Sequence, residues 1–387
     1  MKLFDDVERT FTGHARRSET TFNFLNRSAR PDFAATRDAV EALFADFPES
    51  AKADVRARFR SPNEAHSGAF FELFLHAVLR KSGYEVALHP SAGAPNTRRV
   101  DFQIEANGKS LFIEARTLTT PQETSLRERL LAPILDAIDE IESPDFFLHV
   151  EIEGNLQKAI AIAPIKKYLV AWLKSLDYDK VKAETSGEGG HRNCPTTKWE
   201  QAGCILEFTA WPKGTARGKP GRAIGMEFGG VFWNNTGQRL RKILSAKARR
   251  YGKMNTPYII AVNVLDGFMD DECALEALYG QEAVQFRTYT NGRRESQAIR
   301  QLNGLWRQHS GPRYTRVSAV LIVSRLRPWC MPQSRLTLYM NPWAEFPLSD
   351  EFSALEVVRL GTDGHLARIG KTELPPTLCP ALLTNQA

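Results

Sequence analysis

Two short stretches, Arg99-Val100-Asp101-Phe102-Gln103 and Phe112-Ile113-Glu114-Ala115-Arg116, each carry a carboxylate close to a guanidinium. What they could do depends on how the chain folds between them. Asn107-Gly108 is the strongest two-residue hairpin signal, because a type I′ turn needs positive φ at both central positions. A turn there pairs Ala106 with Lys109, sets Asp101 opposite Glu114, and sets Arg99 opposite Arg116. Period-two alternation then puts Arg99, Asp101, Gln103, Glu114 and Arg116 on one face. Val100, Phe102, Ile104, Leu111, Ile113 and Ala115 fall on the other. Facing carboxylates would have Cβ atoms roughly 5 Å apart, where like charges repel. A divalent cation would relieve that repulsion by taking an oxygen from each side, as Mg²⁺ does with carboxylates, water and phosphate. Two arginines beside two acids could also form a neutral surface ladder with no chemistry. On the hairpin alone, the ladder is the simpler reading.

The helix expected upstream favours the metal. Residues 66–82, HSGAFFELFLHAVLRKS, are strongly apolar and end before Gly83, a residue suited to a helix C-cap. Gly68, Glu72 and His76 form a narrow stripe on this helix, and phenylalanines, Leu75, Ala77 and Val78 cover the other directions. A carboxylate among such neighbours needs a partner or a metal, and Gly68 would let a ligand or backbone approach closely. Glu72 as a helix-boundary residue is the bland alternative.

An apolar helix with an internal Glu, a strand, and a hairpin with Val100-Asp101 on one strand and Glu114-Ala115-Arg116 on the next, then a helix and a strand, resembles the restriction-endonuclease-like, or PD-(D/E)xK, nuclease superfamily. The resemblance spans roughly residues 64–153. It implies a mixed central sheet flanked by helices and a divalent ion, Mg²⁺ or Mn²⁺, held by Asp101, Glu114 and the Ala115 carbonyl. Glu72 would help to hold or position a second ion or its water. It further implies hydrolysis of phosphodiester bonds in DNA, in restriction or defence against phage. Segments such as KARRYGKMNTPYIIAVN and LYMNPWAEFPL resemble uncharacterised bacterial proteins with such a core.

Two positions depart from the family pattern. Val100 stands where the motif has proline, a mild change. Arg116 stands where it has lysine, and a guanidinium stays protonated, so Arg116 cannot act as a base although it can bind phosphate bidentately. Related nucleases place their lysine on a neighbouring helix, and in RLRKILSAKARRYG the residues Leu240, Leu244, Lys247, Ala248 and Tyr251 share one face. Lys247 would reach Asp101 and Glu114 if that helix packs beside the hairpin and PYIIAVNVL joins the same sheet. The competing reading is a lysine snorkelling from the helix edge.

Charge is unevenly placed. The chain of 387 residues carries a net +6, yet residues 211–253 hold eleven Lys/Arg against Glu227, and residues 287–327 hold nine Arg against Glu295. Such asymmetry points to a polyanionic partner. Arg99 and the loop residues Lys213, Arg217, Lys219 and Arg222, beside Trp211, are candidate contacts to a nucleic-acid backbone, DNA first with RNA open. A disordered surface loop is the alternative.

Other signals are weak. His191, Cys194 and Cys204 lack a fourth ligand at zinc spacing, and GRAIGMEFGG lacks the context of a phosphate loop. Five scattered cysteines suit a reducing cytoplasm, and no run of apolar residues reaches membrane-span length. An opening without an apolar core is not a secretory signal.

Helices and strands alternate, predicting an α/β fold. The expected division is a helical segment over 1–60, the nuclease-like core over 61–155, and a basic α/β extension over 156–387 that could complete the core sheet. A homodimer is left open. Two rival functions stand beside a nuclease: a catalytically inactive relative that binds nucleic acid or a protein partner, and an interaction module whose hairpin charges are only a ladder.

Overall fold

Residues 258–264, Tyr-Ile-Ile-Ala-Val-Asn-Val, are buried throughout, as a strand must be when both faces of its sheet are covered. In the computed structural model this strand lies near the middle of an eight-stranded mixed sheet. The structure describes residues 1–62, 64–90, 99–106, 108–119, 122–154, 156, 158–186, 190–219, 221–228, 236–251, 255–265, 270–348, 355–361 and 365–370. Residues 91–97, Asn107 of the expected turn, and the proline-rich tail after 370 lie outside them.

Four helices open the chain: α1 (Thr21–Arg27), α2 (Pro31–Ala45), α3 (Glu49–Arg60) and α4 (Glu64–Lys81). The last is the apolar helix expected around Glu72. It is followed by Gly83 at φ +89°, the left-handed geometry that glycine takes without strain. Strands β1 (Glu85–Leu88), β2 (Phe102–Ala106) and β3 (Lys109–Leu118) form an antiparallel meander. Pairing in the β2–β3 hairpin is Ala106 with Lys109 through Phe102 with Ile113, the register expected of a two-residue turn at 107–108, and Gly108 has φ +74°.

The chain then builds α5 (Gln122–Asp139), β4 (Phe146–Gly154), α6 (Ile162–Ser175), α7 (Tyr178–Thr185), β5 (Thr196–Gln201), β6 (Cys204–Pro212) and β7 (Ile224–Phe228). Their four strands form a separate sheet, β5-β6-β4-β7, with its own core of Leu148, Val150, Leu169, Leu206 and Phe208. Afterwards come α8 (Thr236–Ala248), β8 (Tyr258–Val264), α9 (Asp271–Tyr279), the ribbon β9 (Glu282–Thr288) with β10 (Arg294–Arg300), and the short pair β11 (Arg307–Gln308) and β12 (Gly311–Pro312). Strands β13 (Ala319–Ser324), β14 (Arg335–Met340), β15 (Glu356–Leu360) and β16 (Leu366–Ile369) finish the main sheet, whose order is β1-β2-β3-β8-β13-β14-β15-β16.

Two compact units result: residues 1–13, 20–119 and 234–387, and residues 14–19 with 120–233. Division at 60 and 155 does not follow these units. Helices α1–α4 share a core with the main sheet, and β4 belongs to the second sheet. The strand beside β3 is therefore β8, paired parallel from Phe112 with Tyr258 to Leu118 with Val264. A parallel neighbour requires a crossover, and the chain makes it with residues 120–233 of the second unit and α8.

The first unit is thus mixed α/β, with helices on both faces of a large central sheet. On one face α2, α3 and α4 pack on Phe102, Ile104, Leu111, Ile113, Ile259 and Ala261. On the other, Leu240, Leu244 and Ala248 of α8 and Ala274, Ala277 and Leu278 of α9 pack on Ile260, Val262 and Val320. Among the described residues no helix is long and apolar enough to cross a membrane.

Candidate active site

Glu114 is only 1 % exposed, so its carboxylate has left water and needs donors in exchange. It has three, all from the end of α8 and the turn after it. Lys247 Nζ donates to Oε1, Arg250 Nη1 donates to the same oxygen at 3.1 Å, and the Tyr251 hydroxyl donates to Oε2, with the Arg99 carbonyl 3.0 Å from that hydroxyl. Lys247 lies in the last turn of α8 on the face of Leu240, Leu244 and Ala248, and Arg250 and Tyr251 follow in the turn beyond it, where the Arg250 N–H donates to the Lys247 carbonyl at 3.0 Å. Leu240, Leu244 and Ala248 anchor that face to the sheet, so packing of α8 carries the lysine to the acid. The condition attached to Lys247 in the sequence is met, since α8 covers β3 and β8 lies beside it.

Asp101 sits where the hairpin ladder ends. Its carbonyl accepts the His89 N–H at 3.0 Å, and its Oδ2 accepts the Ala115 N–H at 2.7 Å. Burial, then the Glu114 charge, push its carboxyl from an ordinary 3.8 up to about 7. The Ala115 N–H and Lys247 pull the other way, and Glu72 adds to the rise. The two carboxylates are therefore close enough for the Glu114 charge to disfavour ionisation of Asp101, although the ladder itself stops at Phe102 with Ile113. The bend at Asp101 breaks the alternation, however. Val100 was expected on the face of Phe102 and Ile104, but it is buried on the α8 side instead. A neutral ladder with Arg99 and Arg116 is not formed either, because Glu114 is buried beneath α8 and takes its cations from there. Arg99 and Arg116 are both exposed.

Glu72 has a different partner from the one expected. Both of its oxygens are held by Arg58 of α3, at 2.8 and 2.7 Å. The apolar helix thus tolerates this carboxylate through an ion pair, and its charge reaches Asp101 only through space. The close approach expected at Gly68 is not made: apart from its chain neighbours and the backbone of its own helix, no described atom comes within 4 Å of where its Cβ would stand. His76 is buried edge-on to Phe47, and burial, then Arg80, push its imidazole down to about 4, which keeps it neutral in the core.

Among the described residues no group of three or more His, Cys, Asp or Glu side chains could hold a metal ion. Two carboxylates remain, and their chemistry suits a hard cation. They are oxygen donors, they repel each other out of water, and Asp101 Oδ1 has no hydrogen-bond partner among the described residues. Glu114 keeps lone pairs beyond those its donors use. Asp101, Glu114 and the Ala115 carbonyl therefore fit Mg²⁺ or Mn²⁺ if water and a phosphate complete the sphere. Glu72, committed to Arg58, does not belong to that set.

The candidate backbone-binding loop belongs to the second unit, and its cations mostly serve that unit. Lys213 is 3 % exposed, donates to the Ser143 carbonyl at 2.6 Å, and lies 4.6 Å from the centre of the Phe147 ring. Arg217 pairs with Asp145 at 2.7 Å and stacks on Tyr178. Arg222 reaches the Ala15 carbonyl and Asp139. Lys219 is exposed. A buried lysine capping a carbonyl is not a phosphate clamp, so the loop assignment is revised for Lys213.

Arg250 and Tyr251 were not assigned a role from sequence, although their spacing from Lys247 was available there. The chain matches no protein-family model, no curated protein and no solved structure.

Proposed function

We propose that this chain is a divalent-metal-dependent nuclease of the restriction-endonuclease-like type, hydrolysing phosphodiester bonds of DNA in the cytoplasm, in restriction or defence against foreign DNA. The observation that carries the reading is the Lys247 ammonium seated on Glu114, beside Asp101, on a strand whose own basic residue is Arg116. A lysine delivered from α8 supplies what the family motif has two residues after its glutamate. The chain order also supports it: once the second unit is set aside, α4, β1, β2, β3, α8 and β8 follow the helix, meander, helix and strand order of such cores.

A divalent cation bound by Asp101 and Glu114 would polarise the scissile phosphate and acidify the attacking water. In this reading Lys247 would orient that water or hold its proton, which a guanidinium cannot do. The guanidiniums of Arg250 and Arg116 can stabilise the negative charge that develops on the phosphate oxygens. Tyr251, kept neutral because burial and then its bond to Glu114 raise its phenol, positions the glutamate.

One observation favours a second reading. Both Glu114 oxygens already have donors, as expected of a relative that binds nucleic acid without cutting it. Plasmid cleavage with Mg²⁺ or Mn²⁺, comparing wild type with Asp101→Ala and Glu114→Ala, separates the two. Cleavage by wild type alone is the expected result. Equal cleavage by all three, or none by any, removes the hydrolase reading, and salt-dependent DNA binding without cleavage leaves the second.

A further inference from the structure

Tyr314 has φ +54°, a left-handed conformation that residues with a Cβ seldom take and that persists only where the surroundings hold it. Here they do. The Val317 N–H donates to the Tyr314 carbonyl at 2.9 Å. Asn341, itself buried, donates through Nδ2 to the Val317 carbonyl at 2.8 Å and to the Tyr314 carbonyl at 3.3 Å. The turn is braced from both sides before any partner arrives.

Its ring is set among guanidiniums. Arg313 Cζ lies 5.1 Å from the ring centre and Arg249 Cζ 5.6 Å, and Arg249 Nη2 donates to the hydroxyl at 2.8 Å. Arg316 Nη1 donates to the Tyr251 carbonyl at 3.2 Å. Tyr251 and Arg250 in turn hold Glu114, so the cluster is continuous with the acid pair. The nearby carboxylate of Glu345 accepts from the Thr315 hydroxyl. Several guanidiniums gathered at a surface repel one another, and a polyanion removes that cost. Planar guanidiniums also match phosphate oxygens two at a time. Because arginines flank the tyrosine ring, it is occupied by cations and not offered to a base.

We propose that Arg249 and Arg313, held around Tyr314, together with Arg316 on the Tyr251 carbonyl, form a platform for the sugar–phosphate backbone of duplex DNA, leading through Arg250 to Glu114. Recognition there is of phosphate and not of base, so it carries little sequence preference. The link to Glu114 rests on the nuclease reading; the binding itself does not.

The test is binding of a fluorescent 20-base-pair duplex to the full chain in EDTA, read by anisotropy at several salt concentrations and on two unrelated sequences. For wild type, affinity should fall log-linearly with salt. In Arg249→Gln/Arg313→Gln the slope should drop by about 1.8, roughly 0.9 per lost phosphate contact, and binding should weaken about ten- to hundredfold on both sequences. Arg249→Lys/Arg313→Lys should recover most of the slope. If the glutamine pair lowers the melting temperature, Arg249→Gln alone, at an exposed residue, should still reduce the slope by about 0.9. The proposal is overturned if wild type shows no salt-dependent DNA binding, if the folded variants keep wild-type slope and affinity, or if only one sequence is affected. Platform binding without plasmid cleavage removes the hydrolase reading alone. Cleavage with unchanged slopes removes the platform alone.

Discussion

Glu114 and Asp101 meet the same problem, a carboxylate out of water, in different ways. Glu114 is neutralised by Lys247, Arg250 and Tyr251. Asp101 has one N–H donor and a like-charged neighbour, and its carboxyl rises to about 7. Between about pH 4 and 7 the folded chain keeps a proton on Asp101 that the unfolded chain has lost. Stability from this group is therefore complete below the ordinary value of 3.8, falls as pH rises through that window, and is flat above 7. Asparagine can still accept the Ala115 N–H and never ionises. Asp101→Asn should thus gain in melting temperature over wild type as pH goes from 5 to 8 in EDTA. A difference that stays constant or shrinks would show that Asp101 titrates normally.

At the scale of elements, α8 decides what the hairpin can do. The hairpin presents Glu114 on one side of β3, and Leu240, Leu244 and Ala248 fix the helix that lays Lys247 and Tyr251 over it. If Lys247 does the work of the motif lysine, Lys247→Ala should lower metal-dependent plasmid cleavage by about a hundredfold or more. Arg116→Ala, at an exposed position on β3, should cost less. Full activity in Lys247→Ala would return that lysine to a purely structural ion pair. The loop after β6 shows the opposite case. Its basic residues look alike in sequence, yet Lys213 is buried against Phe147 and Ser143 and Lys219 is exposed.

For the whole molecule, residues 120–233 leave the first unit after β3 and rejoin it before α8, and with residues 14–19 they make up the second unit. Its core of Leu148, Val150, Leu206 and Phe208 is separate from both cores on the main sheet. Replacing residues 120–233 by a short Gly-Ser linker should therefore leave a first unit that still unfolds cooperatively in urea. In that shortened protein the Asp101→Asn pH effect should persist, because its causes all lie in the first unit. Loss of a cooperative transition would show that the first unit depends on the second.

Local rules settled much of this protein from sequence. The Asn-Gly turn set the hairpin register, the apolar run of α4 and its terminal glycine set that helix, and the stripe on α8 marked Lys247, because each depends on neighbours a few residues apart. Partners distant in the chain were decided only by tertiary structure. Arg58 claims Glu72, Arg250 and Tyr251 share Glu114, and β8, not β4, lies beside β3. Burial decided the rest: a basic residue reads the same in sequence whether its charge meets solvent or a carbonyl, and only packing tells Lys213 from Lys219. The Arg249–Tyr314–Arg313 cluster joins residues more than sixty positions apart, and sequence spacing carries no trace of it.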